Sequence, residues 1–448
     1  MKQTIRNLLL AGIMLAVAFS GLNAGSESKR PPLQKQAERW NEILKWRLDH
    51  LLPELMKKSG IDLWLVINRE YNEDPVYMTL VPRPAFNARR TSILIFHYQK
   101  SQHRVDRYTG SYYPLKGWYK GIWKDKSVLQ FDSLAGFIRR LDPSSIGINV
   151  SDHWAFGDGL SQGLAARLEK ALGPEYWNRR VSAEKLCVGW LETRSPMELK
   201  DYPGIASVAH DLIREFFSPR VIRPGITRRD DVRWWIMERF YELGVDTWFF
   251  PSIDILRFED TAGDDADPEL IRPGDLLHCD VGIVCQGLCT DMQWNAYVCR
   301  KGEQNAPEGI REALEKAHRV ARLFMSEFRE GRNGSEVIRE TMKKVRAEGI
   351  EALIYSHPVG FHGHAAGPPM EGRPAGQAPE GTRYRAEHPL RYGTVYAIEF
   401  SVYQRVPQWN NQKIRLGFEE MALFDRHGCR FIDGYQKELI LIRPPDAH

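Results

Sequence analysis

Residues 278–295 read HCDVGIVCQGLCTDMQWN. Apolar, β-branched runs flank Gln286-Gly287, and Asp280 and Asp291 stand eleven positions apart within them. The pattern predicts two strands, DLLHCDVGIV (275–284) and LCTDMQWNAYV (288–298), folded into a hairpin. A turn centred between Cys285 and Gln286 sets Asp280 directly opposite Asp291. Directly opposed side chains have β-carbons ~4.5–5.5 Å apart, and like charges there destabilise a sheet. Val281, Ile283 and Val284 argue for burial rather than a solvated face. Two buried carboxylates can coexist if one is protonated or if a cation lies between them, and a divalent ion supplies that charge.

Two more segments place acids among apolar residues. Glu399 lies in TVYAIEFSVYQ (394–404) and Glu419 in LGFEEMALFD (416–425), both predicted strands. A buried acid without a partner is costly. His357, in SHPVGFHGHAAGPP (356–369), adds an imidazole. Hard oxygen ligands with one nitrogen suit Mn, Co, Fe or Zn. Five such ligands with two bridging carboxylates would hold two ions ~3.5–4 Å apart.

The order Asp280, Asp291, His357, Glu399, Glu419 resembles the pita-bread metallopeptidases, and most closely the Xaa-Pro peptidases aminopeptidase P and prolidase. His357-Pro-Val-Gly resembles their His-Gly-Ile-Gly, Ile398-Glu399-Phe400-Ser401 their Ile-Glu-Pro-Gly, and Phe418-Glu419-Glu420 their Ile-Glu-Asp. TRSPMELKDY (193–202) and IRPGITRRD (222–230) resemble the family's lead-in helix and its Pro-Gly-x-Thr turn. The likeness runs from about residue 186 to 443. It implies an α+β pita-bread domain, an antiparallel sheet flanked by helices, preceded by an α/β creatinase-type domain. It also implies roles. Asp280 would bind one metal, His357 and Glu399 the other, and Asp291 and Glu419 would bridge. His364 would steady the scissile carbonyl or the oxyanion. A metal-held hydroxide would attack, and Glu399, or alternatively Glu419, would pass its proton to the leaving amine. Two divalent ions, Mn by resemblance, a peptide substrate and a homodimer are implied as well.

The chain departs from that pattern around the substrate. The upstream family histidine has no counterpart in RFEDTAGDDAD (257–267), and the histidine four before the metal ligand is Leu353. The arginine two before the last Glu is Gly417, with Arg415 nearby. The family's Asp-x-Thr-Arg-Thr is Asp291-Met-Gln-Trp-Asn. These changes keep open a second class of function, a pita-bread protein that binds peptides without turnover. His278 and His362 are extra histidines, and for each a structural role is the favoured reading, although His278 shares a strand face with Asp280.

The rest of the chain sets the frame. With 448 residues it exceeds one ordinary core and predicts two domains, at 30–185 and 186–448. A net charge of +4 gives no reason to expect nucleic acid or an anionic membrane as partner. Lys2 and Arg6 precede an apolar run from Leu8 to Leu22, too short for the ~20 residues of a membrane span. Small residues follow. This predicts a signal peptide over 1–24, cleaved after Ala24 or Ser20, and a secreted or periplasmic protein with no membrane contact once it is removed. The six cysteines match no zinc-binding spacing.

In the N-terminal half a helix is predicted over 30–58, broken at Pro53, with strands at 61–67, 91–96 and 146–150 and a helix over 160–173 closed by Gly173. Thr227 is the predicted cap of a helix ending at Gly244. His210 falls within a helix and reads as a core or surface residue. Residues 367–393 read as a long loop. Gly159-Leu-Ser161-Gln-Gly163 has the form of a serine-hydrolase nucleophile elbow, but such an elbow needs a strand running straight into the serine. Ser161 reads better as a helix N-cap.

Overall fold

The computed structural model describes residues 31–259, 267–374 and 376–443. The predicted signal peptide and most of the acidic stretch at 257–267 lie outside these residues.

The first domain opens with a continuous helical rod. Helix α1 (Leu33–Trp46) passes through a π turn at Arg47–Leu51 into α2 (Leu52–Ser59). Pro53 therefore does not break the rod. It falls in the first turn of α2, and the wider π turn just before it absorbs the proline's missing N–H. Gly60, at φ 69°, ends α2 in the left-handed region.

A mixed six-stranded sheet follows: β1 (Leu63–Arg69), β2 (Thr91–Gln99), β3 (Arg104–Thr109), β4 (Lys120–Gly121), β5 (Ile146–Ile148) and β6 (Arg180–Ser182), in the order β4-β3-β2-β1-β5-β6. Both faces are covered, so β1 is apolar at consecutive positions rather than alternate ones. Helices α3 (Gln130–Leu141) and α4 (Gln162–Trp177) cover one face. The α1–α2 rod and α5 (Glu184–Glu192) cover the other. Gly173, at φ 70° and ψ 173°, ends the regular helix as expected, and a further helical turn beginning at Pro174 carries α4 on to Trp177 across a kink. Leu186–Leu191 belong to this first core, so the change from one core to the next falls at Thr193–Ser195 and not at 185/186.

Helix α6 (Pro196–Phe216) starts the second domain. Ser195 and Glu198 form a reciprocal capping box, and Glu198 also takes the buried Arg47 at 2.9 Å, tying the two domains together. Helix α7 (Arg229–Leu243) is capped at Arg228 rather than Thr227. The Arg228 N–H donates to Asp231, while the Thr227 hydroxyl accepts from the Arg223 N–H. Gly244 closes α7 as predicted.

The large sheet has the path β13-β12-β14-β15-β11-β8-β7. Along that path lie β7 (Ser252–Leu256), β8 (Leu276–Val281), β11 (Met292–Val298), β12 (Glu351–Val359), β13 (Met370–Glu371), β14 (Thr394–Val406) and β15 (Gln412–Asp425), with β16 (Gly428–Phe431) paired to β15 and β17 (Ile440–Ile442) to β11; short strands β9 (Val284–Cys285) and β10 (Leu288–Cys289) form the hairpin tip. Side chains alternate between faces. On β8 and β11, Leu277, Cys279, Met292 and Trp294 pack with α6 and α7. On β14 and β15, Ile398, Phe400, Leu416 and Phe418 pack with α8 (Glu308–Met325) and α9 (Gly334–Ala347). The opposite face, left for a cleft, carries Asp280, Gln293, Glu399 and Glu419.

The segment 367–393 is not featureless. It contains β13 and a short helix, α10 (Thr382–Ala386). No helix among the described residues is long and apolar enough to cross a membrane. No disulfide joins the six cysteines, which all lie among the described residues.

Candidate metal centre

The hairpin turns at Gln286-Gly287, with φ of 54° and 78° at the two residues. Two consecutive positive φ values make a tight turn whose twist matches the strands. The centre is thus one residue beyond the predicted one, and the register shifts by two. Asp280 stands opposite Gln293, not Asp291. Because the shift is even, both aspartates stay on one face. They are diagonal neighbours and share a hydrogen bond.

The long β14–β15 pairing sets Glu399 directly opposite Glu419. Glu419 in turn pairs with Gln293 on β11. His357 arrives from β12, opposite Ala397. Its Nδ1 donates to the Pro358 carbonyl at 2.9 Å, which leaves the Nε2 lone pair facing the acids. From Nε2 the distances are 3.4 Å to Asp291 Oδ2, 3.7 Å to Glu399 Oε2 and 3.8 Å to Glu419 Oε1. These exceed hydrogen-bond lengths and suit neighbouring ligands of one small cation with bonds of ~2.1 Å. Ligand atoms of Asp291, His357 and Glu419 all lie within 4.8 Å of one another.

The residues fit a cation on two further grounds. His357 Nε2, Asp280 Oδ1 and Glu419 Oε1 are buried and have no hydrogen-bond partner among the described residues. Desolvation, reinforced in all but Asp291 by repulsion from the other acids, pushes the carboxyl pKa values up, to about 8 for Asp280, Asp291 and Glu399 and well above the ordinary value for Glu419. One pKa unit corresponds to ~1.4 kcal/mol. Holding several such groups charged would consume a large part of the ~5–15 kcal/mol by which a fold is stable. A divalent ion removes that penalty.

Around the acids lies a second set of side chains. Gln293 Nε2 donates to Glu399 Oε1 at 2.6 Å and to Glu419 Oε2 at 2.9 Å. Its Oε1 meets His278 Nε2 at 3.0 Å, and His278 Nδ1 meets Asp254 Oδ2 at 3.2 Å. His278, read from the sequence as structural, therefore touches the shell of the site. His364 sets its ring edge-on to His357, with centroids 4.5 Å apart, and packs against Trp248. Desolvation and the neighbouring His357 and Arg385 lower its pKa, keeping the ring neutral and able to donate.

A cavity of about 390 Å³ opens beside His357, His364 and Glu399. Trp154 of the first domain and Arg373 and Arg385 of the 367–393 segment also line it. Arg373 pairs with Glu371. Arg385 pairs with no acid among the described residues. It donates to Thr382 Oγ1 at 3.2 Å, and its buried Nε has no partner.

Other sequence candidates fall elsewhere. His210 is buried between Glu420 and Asp433, at 3.1 and 3.0 Å. His362 packs against Phe156 with the two rings tilted, centroids 4.7 Å apart. Ser161 stands at the N-cap of α4, yet its hydroxyl makes no cap bond and has no partner among the described residues, and β5 ends well before it. Neither a nucleophile elbow nor a base is assembled there.

Gln293 and Arg385 were not singled out from the sequence. Gln293 had a legible signal, two residues beyond Asp291 on a strand. Arg385 sits in a Pro/Gly-rich segment with no periodicity to point it anywhere.

The fold is that of several solved peptidases. The X-Pro aminopeptidase of Thermotoga maritima MSB8 matches with TM-score 0.61 at 15% identity, over 87% of this chain and 100% of that one. The Xaa-Pro dipeptidase of Bacillus anthracis matches with TM-score 0.56 at 16% identity, over 91% and 99%. The prolidase of Pyrococcus furiosus gives TM-score 0.54 at 15% identity, over 86% and 100%. No curated protein matches the sequence. Residues 204–435, just over half of the chain and the whole of the acid-bearing face, match the sequence model of metallopeptidase family M24, and the chain belongs to that family of metal-dependent hydrolases.

Proposed function

We propose that this metallopeptidase is an exported enzyme that hydrolyses Xaa-Pro dipeptides. The observation that carries the reading is Arg385. A guanidinium without an acid partner among the described residues lines the same cavity as His357 and Glu399. A planar guanidinium is suited to bidentate capture of a carboxylate. A free carboxylate so close to the reacting bond belongs to a very short peptide, which favours a dipeptidase over an aminopeptidase acting on longer chains. The proline preference is brought by the named Xaa-Pro peptidases that share the fold. Export is supported by the charged and apolar pattern of residues 2–22.

Asp280, Asp291, His357, Glu399 and Glu419 would hold the metal, with Mn the first ion to try and Zn, Co or Fe compatible with the same ligands. A bound divalent ion supplies a hydroxide at neutral pH and polarises the scissile carbonyl. The chain's own groups do the rest. Arg385 fixes the substrate's carboxylate end, so that the scissile carbonyl faces His357 and Glu399. His364, neutral at pH 7, donates to the oxygen that becomes an oxyanion. Glu399 carries the proton to the departing nitrogen. Trp154 lines the cavity beside these groups, and Trp248 packs against His364.

The test is product analysis by mass spectrometry on Mn-loaded chain. The substrates are Ala-Pro, Ala-Pro amide, Ala-Pro-Ala and Ala-Ala. Cleavage of Ala-Pro far above the other three is expected. Equal cleavage of Ala-Pro-Ala would make the protein an aminopeptidase. No cleavage of any would favour the peptide-binding alternative.

A further inference from the structure

Arg385 is not alone in facing the cleft without an acid of its own. Arg415 stands on β15 four residues before Glu419, and so on the same face of the strand. It is exposed, and it pairs with no acid among the described residues. Its Nε donates to Ser401 Oγ at 2.7 Å and its Nη2 to the Tyr355 hydroxyl at 2.8 Å. Tyr355 lines the cavity that holds His357 and Glu399. Those two bonds use the side edge of the guanidinium. The end edge, formed by Nη1 and the second N–H of Nη2, has no partner among the described residues. An edge with two parallel N–H bonds has the shape that clasps a carboxylate.

The neighbouring charges leave that edge unclaimed. Asp254 lies within electrostatic reach of Arg415, but its carboxylate is taken by His278 at 3.2 Å. Arg373, whose guanidinium lies 5.1 Å from the centre of the Tyr355 ring, is paired with Glu371. Ser401 stands directly opposite Gly417, and the lack of a side chain there lets Arg415 lean along the cleft floor to reach it. The guanidinium groups of Arg385 and Arg415 lie on opposite sides of the acids. Along β14, Ala397 stands opposite His357, Glu399 opposite Glu419 and Ser401 opposite Gly417. Arg385 belongs to the first of these rows through His364, which packs on His357 and lies within reach of the Arg385 charge. Arg415 belongs to the last. At ~3.3 Å per residue the two rows are about 13 Å apart, with Glu399 midway. A dipeptide with its terminal carboxylate at Arg385 and its scissile bond at Glu399 therefore turns its first residue toward Arg415.

We propose that Arg415, held by Tyr355 and Ser401, is a second carboxylate subsite, and that the preferred substrates are dipeptides with an acidic first residue, Asp-Pro and Glu-Pro. The side-chain carboxylate of that residue takes the free edge of Arg415 while the terminal carboxylate takes Arg385. This deepens the dipeptidase reading and rests on it for the direction of the substrate. The readout here is the ratio of an acid to its own amide in the first residue. The dipeptidase reading turns instead on Ala-Pro against its C-terminal amide and its tripeptide, so failure of one is distinguishable from failure of the other.

The experiment is steady-state kinetics of the Mn-loaded full chain on Glu-Pro, Gln-Pro, Asp-Pro and Asn-Pro. Gln and Asn keep the size of the acids and remove the charge. Wild type should favour each acid over its amide by roughly 10-fold or more in kcat/KM, mainly through KM, as a hydrogen-bonded charge pair would give. In Arg415→Gln the ratio should fall to near one, and Arg415→Lys should restore part of it. If none of the four is cleaved, the dipeptidase reading falls, and calorimetric binding of the same four to the Mn-loaded chain decides the acidic preference by the same ratio. A ratio near one in wild type, or no binding of any of the four, overturns the proposal. A ratio that survives Arg415→Gln overturns the assignment to Arg415. If neither variant folds, the wild-type ratio still decides the substrate class.

Discussion

Gly417 and His278 are complementary across the sheet: a β-carbon at position 417 would lie 2.5 Å from His278 Nε2, so the imidazole occupies space that any other residue on β15 would fill. The absence of a side chain at 417 and the presence of a ring at 278 are one packing event. Gly417→Ala should force His278 away from Gln293 and lower stability by about 1–3 kcal/mol, the usual penalty for overpacking. Thermal unfolding of the metal-free protein measures it. Gly417→Ala combined with His278→Ala should recover much of the loss. If the double variant is as destabilised as the two single losses added together, the complementarity is not what Gly417 serves.

Asp291 is 3% exposed and lies between Asp280 and His357. Asp291→Asn removes a ligand charge but keeps the shape. Metal-dependent turnover should fall by more than about 100-fold, beyond what outer-shell changes produce. The metal-free protein should change in the opposite sense and become more stable near pH 8, because one of the mutually repelling acids is gone. Retained turnover with full metal affinity would sink the assignment of Asp291 as a ligand.

The acids were legible in the sequence because a carboxylate inside an apolar strand is anomalous by itself. Asp280, Asp291, Glu399 and Glu419 each announce a partner before any fold is known. The register between them was not. Moving the turn from Cys285/Gln286 to Gln286/Gly287 replaced Asp291 by Gln293 opposite Asp280, and only the paired positive φ values fix that choice. The even shift preserved the face and so preserved the site. Arg385 was beyond reach for a different reason. Its meaning comes from the cavity it lines, formed with Trp154 some 230 positions earlier, and no local pattern encodes that meeting. Pro53 misled because a proline's effect depends on its place in a helical turn, and the π turn at Arg47–Leu51 moved it to a tolerated one.

The acid cluster also fixes a pH dependence. Asp280, Asp291 and Glu399 have folded pKa values of about 8 in the metal-free protein, against ordinary values of roughly 4 in an unfolded chain. A raised folded pKa gives stability that is complete below the unfolded value and is lost as pH climbs through the folded one. His362 acts with opposite sign. Its pKa, lowered to about 4 by burial, adds stability as pH rises to its ordinary value of about 6.5. The two opposing effects overlap below that point, so the decline should be clearest between about pH 6.5 and 8. The melting temperature of metal-free protein should fall across that interval, and Mn²⁺ should raise it more at pH 8 than at pH 5. A flat or rising melting temperature from pH 6.5 to 8 would show that the acids are not held protonated in the metal-free fold.

Arg385 separates recognition from chemistry. It lines the cavity with His357 and Glu399, but nothing places it against the metal ligands themselves. Hydrogen bonds to a charged group contribute ~1.5–3 kcal/mol, or roughly 10–100-fold in kcat/KM. Arg385→Gln should therefore lower kcat/KM for Ala-Pro by about that factor, mainly through KM. Activity on Ala-Pro amide, which has no carboxylate to lose, should change little, and Mn²⁺ affinity should stay as in wild type. Arg385→Lys should recover only part of the loss, since a point charge cannot reproduce the two-pronged contact. An equal loss on the acid and the amide would mean that Arg385 supports the cavity wall rather than the substrate's carboxylate, and the dipeptidase reading would then lose the observation that carries it.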